Sequence, residues 1–406
     1  MTRSEGRTEH IRNLLLDRNL HVIFSVTLMA VLGVSTITPV LPTVADVFHR
    51  TPQSVALLIV AFTLPGSVFT PVIGVMGDRL GRKKVLVPSL VVFALAGTAC
   101  GFARDFSLLV TLRFVQGSGA AALGAINVTL LGDLYDGSRR AAAIGYNASV
   151  LSVGTGIYPA LGGGLAVLGW YFPFFLPLVA LPVAIVVVTL LDNPEPTARG
   201  SLREYVSVTL RAVWNHQVLT LFAASIVAFV LIYGSFLAYF PFLMQRSFDA
   251  SAVSIGFVMS ATSLATAVAS FKVGALSHRH GSQALVKTGF LLYVLAMAGI
   301  PLAVEPWLLT LPLLLFGIAN GLVIPSVLTL LNGYAPTEYR AVFMSLNGTL
   351  LRLGQTLGPL LVGLAVDLVG MNGSFLISAG LALLMLLVLI QAWPSASGTV
   401  PIRADI

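Results

Sequence analysis

Gly74-Val-Met-Gly-Asp-Arg-Leu-Gly-Arg-Lys-Lys84 is a short charged turn set between two long apolar runs. Its pattern is Gly74, three residues, Asp78-Arg79, one residue, Gly81, then Arg82-Lys83. A worn copy stands 200 residues further on: Gly274, three residues, His278-Arg279, one residue, Gly281. The same ungapped offset pairs Gly117 with Gly317, Arg140-Ala141 with Arg340-Ala341, Asn147 with Asn347, Gly154 with Gly354, Pro159 with Pro359 and Gly163 with Gly363. The chain is one plan written twice.

The two copies belong in lipid. Only 10% of the residues are charged and 57% are hydrophobic, with a mean hydropathy of +0.93, whereas soluble domains carry about 25% charged residues. A helix needs about 20 apolar residues to cross the hydrocarbon. That ruler marks spans near 21–44, 53–77, 85–103, 106–132, 141–165, 169–191, 218–244, 251–275, 284–303, 307–331, 341–366 and 374–394, twelve in all. The first is longer than the ~7–15 residues of a secretory core and no small-residue cleavage pattern follows it, so it is expected to be kept. The predicted fold is all-α and integral to the membrane. A lead (1–20) precedes a six-helix bundle (21–191), a linker (192–217), a second bundle (218–395) and a tail (396–406). Leu202, Tyr205, Val206, Leu210 and Val213 recur at helical spacing and predict an amphipathic helix on the membrane face of the linker.

Charge sets the orientation. Of the 23 Lys and Arg residues, Arg50, Arg104 and Arg246 fall on one side and Arg113 and Arg352 inside spans, which leaves eighteen on the side of the N-terminus. Both termini are therefore predicted to be cytoplasmic. The net charge of +7 sits in short loops, where topology explains it, and no nucleic-acid partner is expected. A lone cysteine, Cys100 in an apolar run, supports neither a disulfide nor a thiolate metal site. No metal and no cofactor are expected.

In the quoted turn, Gly81 permits a tight bend beside the headgroups, and the cations after it anchor the cytoplasmic face. Asp78 is unnecessary for orientation, but it can pair with a cation or cap a helix. It predicts a contact between the halves that forms in one conformation and breaks in another. Asp133 closes span 4 near Arg82, so a network of Asp78, Arg82 and Asp133, with Gly74, Arg79 and Lys83 around it, is expected to latch the inner gate in the outward-facing state.

The turn resembles the signature loop between helices 2 and 3 of the major facilitator superfamily, matched by Gly74, Asp78, Arg79, Gly81, Arg82 and Lys83. Arg113-Phe-Val-Gln116-Gly117 resembles that superfamily's helix 4 pattern, and Gly154-Thr-Gly-Ile-Tyr158-Pro159-Ala-Leu-Gly162-Gly163 is similar to the helix 5 motif of its twelve-helix drug:proton antiporters. Tyr158 departs from the glycine usual before that proline. The resemblance implies two pseudo-symmetric bundles, location in the plasma (inner) membrane, multidrug-type efflux, and a part in coupling for Arg113.

Arg113 and Arg352 are expected to face a partner or a wet cavity, since an arginine inside a span costs at least ~2.5 kcal/mol on insertion scales. Candidate cavity residues are Gln116, Asn127, Asn147, Tyr158, Asn320, Asn347, Arg352 and Gln355, with an aromatic patch from Tyr233, Phe236, Tyr239 and Phe240. No Asp, Glu or His falls in the middle of a span, although proton antiport usually needs such a group. Asp46, at an outer end, is the remaining carboxylate candidate for coupling. Gly154, Pro159, Gly162 and Gly163, mirrored by Gly354, Pro359 and Gly363, are expected to let helices 5 and 11 approach and rock.

The leading reading is a secondary active transporter that exports small amphipathic or lipophilic compounds, acts as a monomer in contact with lipid, and takes protons as its coupling ion. A carrier for an anionic metabolite, an uptake permease, and a membrane sensor built on a transporter fold stay open. No Walker loop and no paired nucleophile and base are present, so an enzyme is not expected.

Overall fold

The computed structural model describes residue 14 and residues 16–192, 215–335 and 340–393. The predicted linker helix, the tail and most of the lead lie outside the described residues.

Ten helical stretches are long and apolar enough to cross a membrane. In chain order, with one further helix, the elements are α1 (Arg18–Phe48), α2 (Pro52–Leu80), α3 (Arg82–Cys100), α4 (Phe106–Leu134), α5 (Gly137–Leu165), α6 (Phe172–Leu190), α7 (His216–Phe248), α8 (Ala252–His280), α9 (Ser282–Leu302) and α10 (Pro306–Tyr334). The α5 helix is the addition: its 29 residues reach across, but its small and polar residues make it less apolar than the rest. The final 53-residue stretch, Arg340–Ala392, is broken at Gly370 (φ 77°, ψ 177°) into α11 (340–369) and α12 (371–392). The chain is a multi-pass integral membrane protein, and among the described residues twelve helices fall in the order of the twelve predicted spans.

Two buried cores divide the helices. One draws on α1 to α6, including Leu90, Phe93, Leu109 and Phe174. The other draws on α7 to α12, including Phe290, Tyr293, Phe316 and Phe375. Ala238, Tyr239 and Phe242 of α7 and Val362 and Val366 of α11 pack into the first core, so the two bodies are stitched at that level. The outer surface is apolar as well, with Phe271 91% exposed. Water would not tolerate that surface, but acyl chains do.

The repeated turn repeats in three dimensions. Gly81 (φ 97°, ψ 145°) joins α2 to α3, and Gly281 (φ 80°, ψ 145°) joins α8 to α9. Each donates its N–H to the helix it ends, Gly81 to Gly77 at 3.2 Å and Gly281 to Ser277 at 2.8 Å. Positive φ is the reason glycine stands at both points.

Helix α1 runs past its predicted end. The prolines of Thr38-Pro39-Val40-Leu41-Pro42 mark a break in it: regular α-helix stops at Ser35, Thr38–Val40 forms a 3₁₀ turn, and Leu41–Phe48 resumes as helix. Both prolines sit in first-turn positions, where a missing N–H removes no helical bond. Helix α7 is distorted in the opposite sense: Leu231–Tyr239 is wound as π-helix, a rare geometry that recurs at functional sites.

Candidate functional site

The contacts between the halves lie toward one end of the molecule. Gln53 donates to Asp367 at 2.7 Å and Gln245 to Asp46 at 2.7 Å. Deeper, the Ala160 N–H donates to the Ser260 hydroxyl at 3.0 Å, and the Thr356 hydroxyl lies 3.1 Å from both Thr63 and Ser67. This is the end opposite the cations of the quoted turn, hence the outer end. At the inner end, among the described residues, no hydrogen bond or ion pair joins the halves. A Cβ placed on Gly74, Gly145, Gly274 or Gly348 would meet nothing within 4 Å. The seam is closed outside and open inside.

Glycines make the closed seam possible. A Cβ on Gly163 of α5 would collide with the Ala252 carbonyl of α8, and one on Gly256 of α8 with the Pro159 carbonyl of α5. Gly162 packs on Thr36 of α1 in the same way, and Gly354 and Gly358 on α7 at Ile226 and Gly234. Gly363 lies against Tyr239 of α7 and Gln53 of α2. The expected approach of helix 5 to helix 11 through these glycines is corrected: α5 lies on α1 and α8, and α11 on α7 and α2. The two sets are symmetry mates: the 200-residue repeat carries α5 on α1 and α8 onto α11 on α7 and α2, so each packs on its equivalent neighbours and not on the other. Gly154 faces Leu28 and Tyr158.

The Asp78, Arg82 and Asp133 network forms. Arg82 lies 2.6 Å from Asp78 and 3.0 Å from Asp133, with its guanidinium folded over Gly77. All three belong to α2, α3 and α4, so the expected contact between the halves is absent in this conformation, and the network is intact while the inner side is open. Arg79 and Lys84 are exposed, and Lys83 donates to the Val188 carbonyl at 3.1 Å. Asp78 is half exposed, and pairs of that kind contribute about 1 kcal/mol or less. Asp78→Asn is therefore expected to lower the transport rate by up to about fivefold with insertion unchanged. Complete loss of transport in that variant would show that Asp78 also acts across the halves in another state.

The sequence candidates separate into three groups. Asn127, Asn147 and Asn320 bind helices together, while Gln116 accepts from Arg113 of its own helix. Thr27 of α1 receives from Asn127 and donates to Asn147 at 2.5 Å, and Tyr293 donates to Asn320. Arg113 is 1% exposed. It donates to Gln116 at 2.7 Å, to the Gly33 carbonyl at 2.8 Å and to the Leu58 carbonyl at 3.2 Å, and stands 4.3 Å from the centre of the Phe62 ring. It ties α4 to α1 and α2 and does not face a cavity.

Phe236 and Tyr239 leave the aromatic patch. Phe236 packs on Phe240 and Phe316 inside the second core, and Tyr239 is fully buried in the seam. Tyr158 is half-buried against α1, and Asp46 belongs to the outer seam.

The third group meets at the top of the inner opening. Arg352 of α11 is half-buried, its guanidinium lying where a Cβ on Gly66 of α2 or Gly124 of α4 would be. Tyr233 is its electrostatic neighbour and stacks on Phe229 at 5.9 Å. Phe229, Ile324, Leu328 and Leu351 line an apolar crevice beside it, with Ser225 donating to Asn347 at 2.8 Å at one end. Gln355, half-buried on α11, makes no hydrogen bond among the described residues. The reading from sequence missed Thr63, Ser67 and Thr356, because hydroxyls in spans usually bond their own helix and carry no signal of a partner. It also missed the two glycines that receive Arg352.

The family model described as "Major Facilitator Superfamily" matches residues 23–355 and 243–403. The chain is similar to Multidrug resistance protein 2 of Bacillus subtilis (strain 168), 24% identical over 92% of this chain and 94% of that protein. It is 23% identical to the class B tetracycline resistance protein of Escherichia coli, over 85% and 88%. It is also 31% identical to the Bacillibactin exporter of Bacillus subtilis (strain 168), over 39% of this chain and 41% of that protein's length. Among solved structures, a bacterial homologue of the human lysosomal transporter Spinster, inward-facing and occupied, superposes with a TM-score of 0.79 at 16% identity, covering 92% of this chain and 96% of the other. The human organic anion transporter MFSD10 superposes with a TM-score of 0.70 at 20% identity, over 92% and 99%.

Proposed function

The chain belongs to the Major Facilitator Superfamily, and from that premise we propose that it is a secondary active exporter of small amphipathic or lipophilic compounds, working by alternating access between two six-helix bodies. The observation that carries this reading is the confinement of cross-half contacts to the outer end. A carrier must close one side while the other is open, and a seam of five polar links over an inner end unlinked among the described residues is that arrangement. The multidrug and tetracycline resistance proteins, similar over most of their length, support the cargo class.

Protons are the proposed coupling ion. Every described carboxylate lies at a helix end, so the proton is taken at the seam and not at mid-membrane, with Asp46 and Asp367 the groups that face both halves there. The gate is placed at the Asp78 turn, and the cargo in the inner opening beneath Thr63, Ser67 and Thr356. The chain is proposed to work as a monomer in the plasma membrane, both termini inside.

Purified protein in liposomes with an imposed pH gradient tests this. Gradient-driven movement of at least one amphipathic dye or drug is expected, and it should collapse when an ionophore removes the gradient. Uptake of small hydrophilic metabolites, with no amphipathic compound moved, would overturn it.

A further inference from the structure

We propose that Arg352 is the binding site for an anionic headgroup, and that the compounds this carrier takes are amphipathic anions. The inference rests on the exporter reading and narrows its cargo.

A guanidinium inside a span is expensive, at least ~2.5 kcal/mol on insertion scales, and is normally paired or bonded to carbonyls. Arg113 obeys that rule, with three acceptors. Arg352 does not: among the described residues no carboxylate pairs with it and its guanidinium makes no hydrogen bond to any of them. Two glycines of the opposite half show that the place is built for it. Gly66 and Gly124, from two different helices of the opposite half, leave the room its two terminal nitrogens occupy. One turn outward, Thr356 accepts the task of sealing, bonding both the Arg352 carbonyl and Thr63 at 3.1 Å. The charge therefore stands at the apex of the inner opening, directly below the closed seam and between both halves.

A planar fork of donors with nothing to bind matches a carboxylate, sulfonate or phosphate arriving with the cargo. Tyr233, the electrostatic neighbour of Arg352, stacks on Phe229 at 5.9 Å and gives the guanidinium an aromatic flank. The headgroup would sit on Arg352, with the apolar body in the inner opening beside the Tyr233 and Phe229 rings. An anion there would touch α11 directly and α2 and α4 across the seam, so it would favour closure of the inner side around itself.

The experiment compares three labelled probes on the reconstituted full chain: taurocholate as the amphipathic anion, tetraphenylphosphonium as the cation and dexamethasone as the neutral compound. Liposomes are phosphatidylcholine, with and without phosphatidylglycerol. Wild type should bind and move taurocholate best. Arg352→Gln should weaken taurocholate binding about tenfold or more, the loss expected for a charge-assisted pair, and Arg352→Lys should retain most of it. Gly124→Ala, which displaces the guanidinium and keeps the charge, should fall between them and serves if Arg352→Gln does not fold. Taurocholate binding unchanged in Arg352→Gln would overturn the proposal, as would its displacement by phosphatidylglycerol, which would make a lipid headgroup the occupant. Movement of only the cation or the neutral probe would sink this inference and leave the exporter reading standing. Movement of none of the three would count against both.

Discussion

Gly163→Leu brings transport to the background of empty liposomes while the protein remains inserted and monodisperse. A Cβ alone at this position collides with the Ala252 backbone carbonyl, and backbone cannot swing aside as a side chain can. Overpacking of this kind costs about 1–3 kcal/mol. Here it falls on the seam, where the two bodies can part, so the penalty is charged to the state sealed outside and not to folding. At about 1.4 kcal/mol per tenfold, that state is depleted by roughly 5- to 150-fold, and a cycle that must pass through it stalls. Gly162→Leu provides the contrast, because Gly162 packs on Thr36 inside the same half. That variant should fail in yield and folding. Normal flux in Gly163→Leu would mean that the α5 and α8 contact is not part of the cycle.

The second large effect is at Arg113. Three hydrogen bonds from its guanidinium, each contributing ~1.5–3 kcal/mol when one partner is charged, and its place over Phe62 outweigh an insertion cost of ~2.5–3.5 kcal/mol. Arg113→Ala removes them, leaves Gln116 with neither amide atom bonded, and opens a void among α1, α2 and α4. We expect a loss of about 3–5 kcal/mol and a melting temperature lower by roughly 10 °C in detergent. Arg113→Lys should recover little, because an ammonium cannot bridge the Gly33 and Leu58 carbonyls as the fork does. The coupling role implied by the family resemblance predicts something else, normal melting with lost proton dependence. The thermal curve therefore separates a strut from a coupler.

What the sequence made legible were features that act through the backbone or through solvent. Apart from α5, which is less apolar than the rest, the spans follow from apolar length, and the turns at Gly81 and Gly281 from a positive φ that glycine tolerates. The Asp78, Arg82 and Asp133 network followed because helix ends bring the three together. Partners inside the membrane were another matter. An amide in a span, such as Asn127 or Asn320, does not reveal which neighbour it faces, since that depends on how each helix is rotated. The aromatic patch on α7 fails for a related reason. Tyr233, Phe236 and Phe240 would share a face of a regular helix, but the wide turns of Leu231–Tyr239 send Phe236 to Phe316 and leave Tyr233 with Phe229. Arg352 was visible as a lone cation, whereas the glycines that receive it lie in the other half of the chain and carry no mark of that use.

The 3₁₀ turn of α1 and the π-wound segment of α7 meet in the repeat: the 200-residue offset carries residues 38–40 to 238–240, at the outer end of the π-wound residues 231–239. One is coiled too tightly and the other too loosely. A 3₁₀ turn rises about 0.5 Å more per residue than α-helix, so rewinding three residues would shorten α1 by about 1.5 Å. Relaxing the wide turns would lengthen α7. The two helices that carry Asp46 and Gln245 thus hold slack of opposite sign just below the outer seam.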